Sequence, residues 1–139
     1  MSEPFLVAGR CRVIAEVGQS HDGSLGTAHA FVDAIADAGA DAVKFQTIVP
    51  ERLVSPGDEA RIAQLTRFAF SREQFKELAE HAAAHGVMFM STPFDPECVD
   101  WLDAIVPAFK IASGDNDFYP LIEKVASTGK PLMVSMGLG

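Results

Sequence analysis

Hydrophobic positions along the chain switch back and forth between two periods: short β-branched runs and longer stretches with apolar residues three and four apart. Arg12–Gly18 (RVIAEVG) is a short apolar run that predicts a first strand. Ser24 can cap a helix whose apolar face uses Ala28, Phe31, Val32, Ile35 and Ala38, and Gly39 is placed to end it. Ala42–Thr47 (AVKFQT) predicts the second strand. Ser71 and Gln74 form a capping-box pattern, opening a helix with Phe75, Leu78, Ala79 and Ala82 inward and Gly86 at its stop. Val87–Thr92 predicts a third strand. Asp95 then caps a helix that begins at Pro96 and lines one face with Val99, Leu102 and Ile105. Phe109–Ser113, a helix near Tyr119–Thr128 ended by Gly129, and Pro131–Ser135 complete the alternation.

Strands that alternate with helices require a mainly parallel sheet, because each crossover returns the chain to the same end. Two architectures fit. An open five-stranded parallel sheet would be complete at this length, whereas a (β/α)8 barrel needs about 250 residues. Composition and length favour the open sheet, and the motifs described below favour the first five β/α units of the barrel. Ile48–Phe70 interrupts the pattern as a long connection containing Pro50, Pro56 and Gly57, of the kind that covers a site.

Composition bounds the functional classes. The 139 residues are 48% hydrophobic and 22% charged, the balance of one globular domain. No run approaches the roughly 18 apolar residues of a membrane span, and Met1–Arg12 lacks the apolar core of a signal peptide. Two lone cysteines, Cys11 and Cys98, make neither a disulfide framework nor a metal knuckle, which predicts a reducing cytoplasm. The net charge of −8 argues against nucleic acid and against an anionic membrane surface. A small anionic substrate remains compatible, provided that named cations are aimed at it.

Those cations lie on the strands. Glu16 ends the first, Lys44 and Gln46 share one face near the end of the second, and Lys110 alternates with Phe109 and Ile111 in the fourth. A lysine buried in a sheet is costly unless an anion compensates it. Two in parallel strands favour an anion site; the alternative for either is an internal salt bridge, such as Glu16 with Lys44. His29, His81 and His85 fall on predicted helices and read as solvent-facing residues rather than ligands.

The blocks AEVGQSHDG (Ala15–Gly23), GADAVKFQT (Gly39–Thr47), MSTPFD (Met90–Asp95), FKIASGD (Phe109–Asp115) and GKPLMVSMG (Gly129–Gly137) occur in order. Together they resemble the N-terminal part of the sialic acid synthase (N-acetylneuraminate synthase) family. The resemblance implies that residues 1–139 are the front of a synthase-type TIM barrel, with the remaining strands and a C-terminal sugar-clamping domain lying elsewhere. It implies condensation of phosphoenolpyruvate with N-acetylmannosamine or a related N-acetylated sugar, giving a sialic or other nonulosonic acid and phosphate. Position by position, Lys44 and Lys110 match lysines that hold the phosphoenolpyruvate charges, and Ser113 and Ser135 match serines that bond its phosphate. Glu16 matches a carboxylate at the sugar-binding mouth, Gln46 a polar group beside the reacting carbons, and His21 and Asp115 further mouth residues, with hydrogen bonding inside its own loop as the alternative for His21. A divalent metal, manganese or magnesium, is implied as Lewis acid and water activator. Its ligands are expected beyond Gly139, with none in this chain.

The pattern departs from the family at two places. Ser20-His21 stands where the family commonly reads Asn-His, and Ser135-Met136-Gly137 where it reads Ser-Thr-Gly. A half-barrel exposes sheet edges and an apolar interior, which predicts association, as a homo-oligomer such as a dimer or within a longer protein. Turnover by the 139 residues alone is not expected. Two other readings stay open: condensation of phosphoenolpyruvate with a sugar phosphate, and a truncated, non-catalytic module that binds an anion or pairs with a partner chain.

Overall fold

The periodicity produces five strands and six helices in alternation among residues 4–137, which are the residues that this computed structural model describes. In order they are β1 (Ile14–Gly18), α1 (Leu25–Asp37), β2 (Ala42–Thr47), α2 (Pro50–Leu53), α3 (Glu59–Thr66), α4 (Arg72–Ala84), β3 (Met88–Pro93), α5 (Pro96–Leu102), β4 (Phe109–Ile111), α6 (Tyr119–Ala126) and β5 (Leu132–Val134). A 3-10 turn at Ser113–Asp115 follows β4.

The helix ends obey the capping chemistry written in the sequence. Ser24 Oγ accepts from the Thr27 N–H, and Asp95 accepts from the N–H groups of Glu97 and Cys98. Ser71 and Gln74 close a reciprocal capping box. Each cap satisfies amides that would otherwise lack a partner, typically worth about 1 kcal/mol.

All strand pairs are parallel, and their spatial order follows the chain. β1 pairs with β2, β2 with β3, and β4 with β5. β3 lies beside β4 without a hydrogen-bonded ladder between them. Sequential order means that each crossover steps the same way, and right-handed crossovers then keep the helices on one side of the sheet. A doubly wound open sheet reverses direction at a switch point and so does not have this order. The architecture is five β/α units of a (β/α)8 barrel.

The two sheet faces differ accordingly. On the helix side Val43, Phe45, Phe89, Phe109 and Ile111 are buried with Val32, Phe75, Leu78, Leu102 and Leu121. Burying each such side chain contributes about 1.5–3 kcal/mol, making this the main stabilising layer. The opposite face carries Ile14, Ala42, Met88, Met90, Ala108 and Met133, with Phe5 packed among them. This inner face becomes polar toward the carboxyl ends of the strands.

Several expectations are corrected. β1 starts at Ile14 rather than Arg12, because the Arg12 guanidinium turns to Asp41 and to the carbonyls of Pro4 and Phe5. β4 stops at Ile111, since Ser113 enters the 3-10 turn, and β5 spans only Leu132–Val134. β3 is shifted by one residue, α6 ends at Ala126, and Ile105 lies beyond α5, half-buried against the core. The connection 48–70 holds α2 and α3 rather than an irregular loop. Pro50 at the first turn of α2 and the Asp58 side chain on the Arg61 N–H start these two helices.

Candidate functional site

The side chains that converge at the carboxyl ends of the strands come from the inner face, selected by the two-residue period. Glu16 pairs in register with Lys44, Gln46 with Thr92, and Lys110 with Met133. The Lys44 ammonium is mostly buried, contacts the Glu16 carboxylate and donates to Thr92 Oγ1 at 2.9 Å. The salt bridge open as the alternative for Lys44 therefore forms.

Lys110 is different. Its ammonium donates to Ser135 Oγ at 2.6 Å and to the Ile111 carbonyl at 2.8 Å, both neutral acceptors. Burial and then the neighbouring Lys44 charge hold its pKa below the usual lysine range, and the Glu16 charge opposes them. Two ammonium groups thus share the field of one carboxylate. A small anion placed between them would relieve their repulsion and their desolvation together.

Gly18 shapes the same corner. The register of β1 and β2 slips between Glu16 and Gly18, where φ is +57°. A Cβ at Gly18 would stand 3.3 Å from Glu16 Oε1 and 3.7 Å from Gln46 Nε2. Glycine therefore lets the chain turn out of β1 while Glu16 and Gln46 remain side by side.

Ser113 adjoins the segment after β5, where a Cβ on Gly137 would meet Ser113 Cβ at 3.8 Å. Asp115 sits in the same 3-10 turn with Oδ2 buried and unbonded, its pKa raised by burial and then by Asp117. His21 is placed elsewhere. It is 2% exposed, stacked on Phe70 at 4.3 Å and near Phe45 at 6.0 Å. Its Nδ1 accepts from the Gly23 N–H at 3.1 Å, and burial lowers its pKa. The loop between β1 and α1 is locked there, because a Cβ on Gly23 would lie 1.9 Å from the Arg67 carbonyl oxygen. His21 acts as an anchor under the connection 48–70.

The structure thus brings Glu16, Lys44, Gln46, Lys110 and Ser135 to one end of the sheet, places Ser113 and Asp115 at its β4 side and buries His21 beneath a loop. Thr92 and Gly18 were missed by sequence reasoning. Thr92 was detectable, since the period from Met88 and Met90 places it on the inner face. Gly18 was not, because its role depends on a register slip.

Asp95, read as a cap, does cap α5, and it also accepts from Cys98 Sγ at 2.8 Å. Burial is the main reason that the Cys98 thiol is pushed far up. Arg52 of α2 bridges Asp95 and Glu97, pinning the connection to α5. Cys11 and Cys98 are both free. A cavity of about 860 Å³ opens at the opposite, amino ends of the strands, lined among others by Arg12, Asp41, Met88, Val106 and Lys130. It contains none of the strand-end candidates.

A sequentially ordered parallel sheet, with its polar groups gathered at the strand carboxyl ends, defines a protein of the (β/α)8-barrel class. Comparison with known proteins narrows this. The NeuB family profile matches residues 31–139, and the chain belongs to that family. An uncharacterized protein of Methanocaldococcus jannaschii is 46% identical over 127 residues, covering 91% of this chain and 37% of that protein. The N,N'-diacetyllegionaminic acid synthase of Campylobacter jejuni is 33% identical over 140 residues, covering 91% of this chain and 42% of that enzyme. The N-acetylneuraminic acid (sialic acid) synthetase structure from Leptospira borgpetersenii superposes with a TM-score of 0.88 at 30% identity. That alignment covers 100% of this chain and 51% of the synthetase. The family is one of sugar-acid synthases, and this chain spans about two fifths of the length of these curated relatives.

Proposed function

We propose that the carboxyl ends of β1, β2, β4 and β5 form the phosphoenolpyruvate-binding part of a sugar-acid synthase site. The observation that carries this reading is Lys110: a half-buried ammonium bonded to neutral acceptors and set beside a second lysine. Phosphoenolpyruvate supplies a carboxylate and a phosphate on one small frame, matching two cations in one corner. Lys44 and Lys110 neutralise those charges, and the hydroxyls of Ser135 and Ser113 donate to phosphate oxygens. Glu16 and Gln46, adjacent across Gly18, face an N-acetylated aldose such as N-acetylmannosamine, where Glu16 accepts from sugar hydroxyls or moves a proton.

In the reaction proposed, the enol carbon of phosphoenolpyruvate bonds to the aldehyde carbon. Water adds to the phosphate-bearing carbon, and the C–O bond to phosphate breaks. Holding both reactants in line supplies much of the acceleration. The divalent metal that the family resemblance implies does not fit the strand-end donors of this chain. Glu16 is already engaged by Lys44, and two ammonium groups would repel a dication. The residues here bind and orient the substrate, and no step is assigned to a metal among them.

Calorimetric titration with phosphoenolpyruvate tests the reading. Lys110→Ala is expected to weaken binding by about tenfold to a hundredfold, the range of a lost charge-assisted hydrogen bond. Lys76→Ala, at an exposed position on α4, is expected to leave it unchanged. Equal affinity in wild type and Lys110→Ala would overturn the assignment. A phosphate-release assay with N-acetylmannosamine and manganese addresses the remaining step. Binding without release marks these residues as the substrate half of the site, the expectation for this span.

A further inference from the structure

Away from the strand ends, α1 and α4 face each other with two residue pairs at one-turn spacing: His29 and Asp33 on α1, His81 and His85 at the end of α4. Residues four apart share a helix face, so the pairs meet across the interface. Asp33 Oδ1 lies 2.6 Å from His81 Nε2 and 3.5 Å from His85 Nε2. One ligand atom from each of Asp33, His81 and His85 falls within 4.8 Å of the others. The His29 and His81 rings meet at 4.3 Å and the His81 and His85 rings at 4.4 Å between centroids, both pairs tilted. The expectation that these histidines face solvent holds for His85, which is exposed, and is corrected for His29 and His81, which helix packing draws half-buried into the same cluster.

The contacts fix which ring nitrogens face Asp33. His85 Nδ1 is 2.9 Å from the His81 carbonyl oxygen. A carbonyl only accepts, so Nδ1 is the donor, and Nε2 is the ring nitrogen left to face a ligand. That nitrogen faces Asp33 Oδ1 at 3.5 Å, a longer contact than the 2.6 Å that His81 Nε2 makes with the same oxygen. A proton on Nε2 would answer this contact alone. His81 Nε2 donates to Asp33 Oδ1 at 2.6 Å, and a metal ion would displace that proton and bind the Nε2 atoms of His81 and His85 and the Asp33 oxygen together.

We propose that Asp33, His81 and His85 form a site for a divalent first-row transition ion, zinc by preference, that staples α1 to α4. Two imidazoles and a carboxylate are a zinc donor set, with water able to occupy the fourth corner. Tetrahedral ligands at 2.0–2.1 Å from zinc stand about 3.3 Å apart, and the separations of 2.6 and 3.5 Å lie on either side of that value. The His85 Nδ1–H bond to a backbone carbonyl is the outer contact that orients a ligating imidazole. The two histidines lie at the C-terminal end of α4, where the helix dipole favours a cation. Behind them, His29 Nε2 is buried 3.1 Å from Glu77 Oε1 without hydrogen-bond geometry, adding a carboxylate beside the cluster. This site is on the helix layer and is independent of the strand-end reading.

The test is titration of the untagged 139-residue chain with cobalt and zinc, followed by calorimetry, visible absorption and thermal unfolding. One ion per chain is expected, with a cobalt spectrum that zinc displaces and an unfolding midpoint that saturating zinc raises. His81→Ala and His85→Ala should each weaken binding about tenfold or more, and Lys76→Ala should leave it unchanged. His81→Gln, which keeps a polar side chain against Asp33, guards against loss of fold and should weaken binding by a similar factor. Absence of saturable binding at one ion per chain would overturn the proposal. So would unchanged affinity in folded His81→Gln and His85→Ala.

Discussion

The two ends of the parallel strands treat charge in opposite ways. At the amino ends, Asp41 accepts from the Val13 N–H at 2.8 Å, from Arg10 at 2.9 Å and from Arg12 at 3.1 Å. The Val13 amide first, then Arg12, holds its carboxyl below the usual range. Lys130 there reaches the carbonyls of Asp103 and Val106. At the carboxyl ends, two lysines lean on hydroxyls, a carbonyl and one carboxylate. The first arrangement saturates an anion with fixed donors, and the second leaves cations short of charge. In a barrel the amino-end face serves stability and the carboxyl-end face serves chemistry, and the hydrogen bonds here divide along that line.

The strongest way to sharpen this contrast is Asp41→Ala. It removes the acceptor of three donors and should lower the thermal midpoint further than Gly18→Ala, Lys110→Ala or Thr92→Val. Phosphoenolpyruvate affinity of the folded fraction should stay within about twofold of wild type. A large affinity loss without a stability loss would break the division between the ends. Gly18→Ala attacks the other end. It forces a side chain to φ +57° and against the Glu16 carboxylate, costing about 1–2 kcal/mol in backbone strain. It should also weaken the binding of an N-acetylated sugar, read by competition or calorimetry, by roughly tenfold.

The pH dependence should separate the ends as well. Because the folded pKa of Asp41 is depressed, its contribution is present above the unfolded value of about 3.9 and is lost as pH falls through the folded value. Asp41→Asn should therefore flatten the acid limb of the stability profile. Lys110 titrates below the usual lysine pKa of about 10.4. Phosphoenolpyruvate affinity should accordingly begin to fall on the alkaline side before an ordinary lysine would lose its proton, and Lys110→Arg should remove that fall. The smallest effect expected is from Thr92→Val, which deletes one hydrogen bond to Lys44. About threefold weaker binding, a small loss because the Glu16 contact still holds Lys44, would place Thr92 as a positioning residue.

The strands, the helix caps and the inward direction of Lys44, Gln46 and Lys110 were legible because they are local. A two-residue period assigns faces, and Ser24, Ser71 and Asp95 bond amides only two or three residues away. The connection 48–70 was less legible, since the four residues of α2 are held by Arg52 against α5 rather than by their own propensity. For His21 the sequence left two roles open, a mouth residue or a hydrogen bond within its loop; the loop bond forms, with Phe70, far along the chain, stacked on the ring.

The sequence by itself determined the alternation of elements, the faces of the strands and the family to which they belong, since these depend on neighbours within a few positions. Tertiary structure alone decided which groups meet. Ser135 comes to Lys110 across 25 residues, while Thr92 to Lys44 and His81 to Asp33 each span 48. Periodicity says which way a side chain points from its own element, but not how far one strand slips along the next or how one helix is rotated against another. Those are set by packing the whole apolar layer at once.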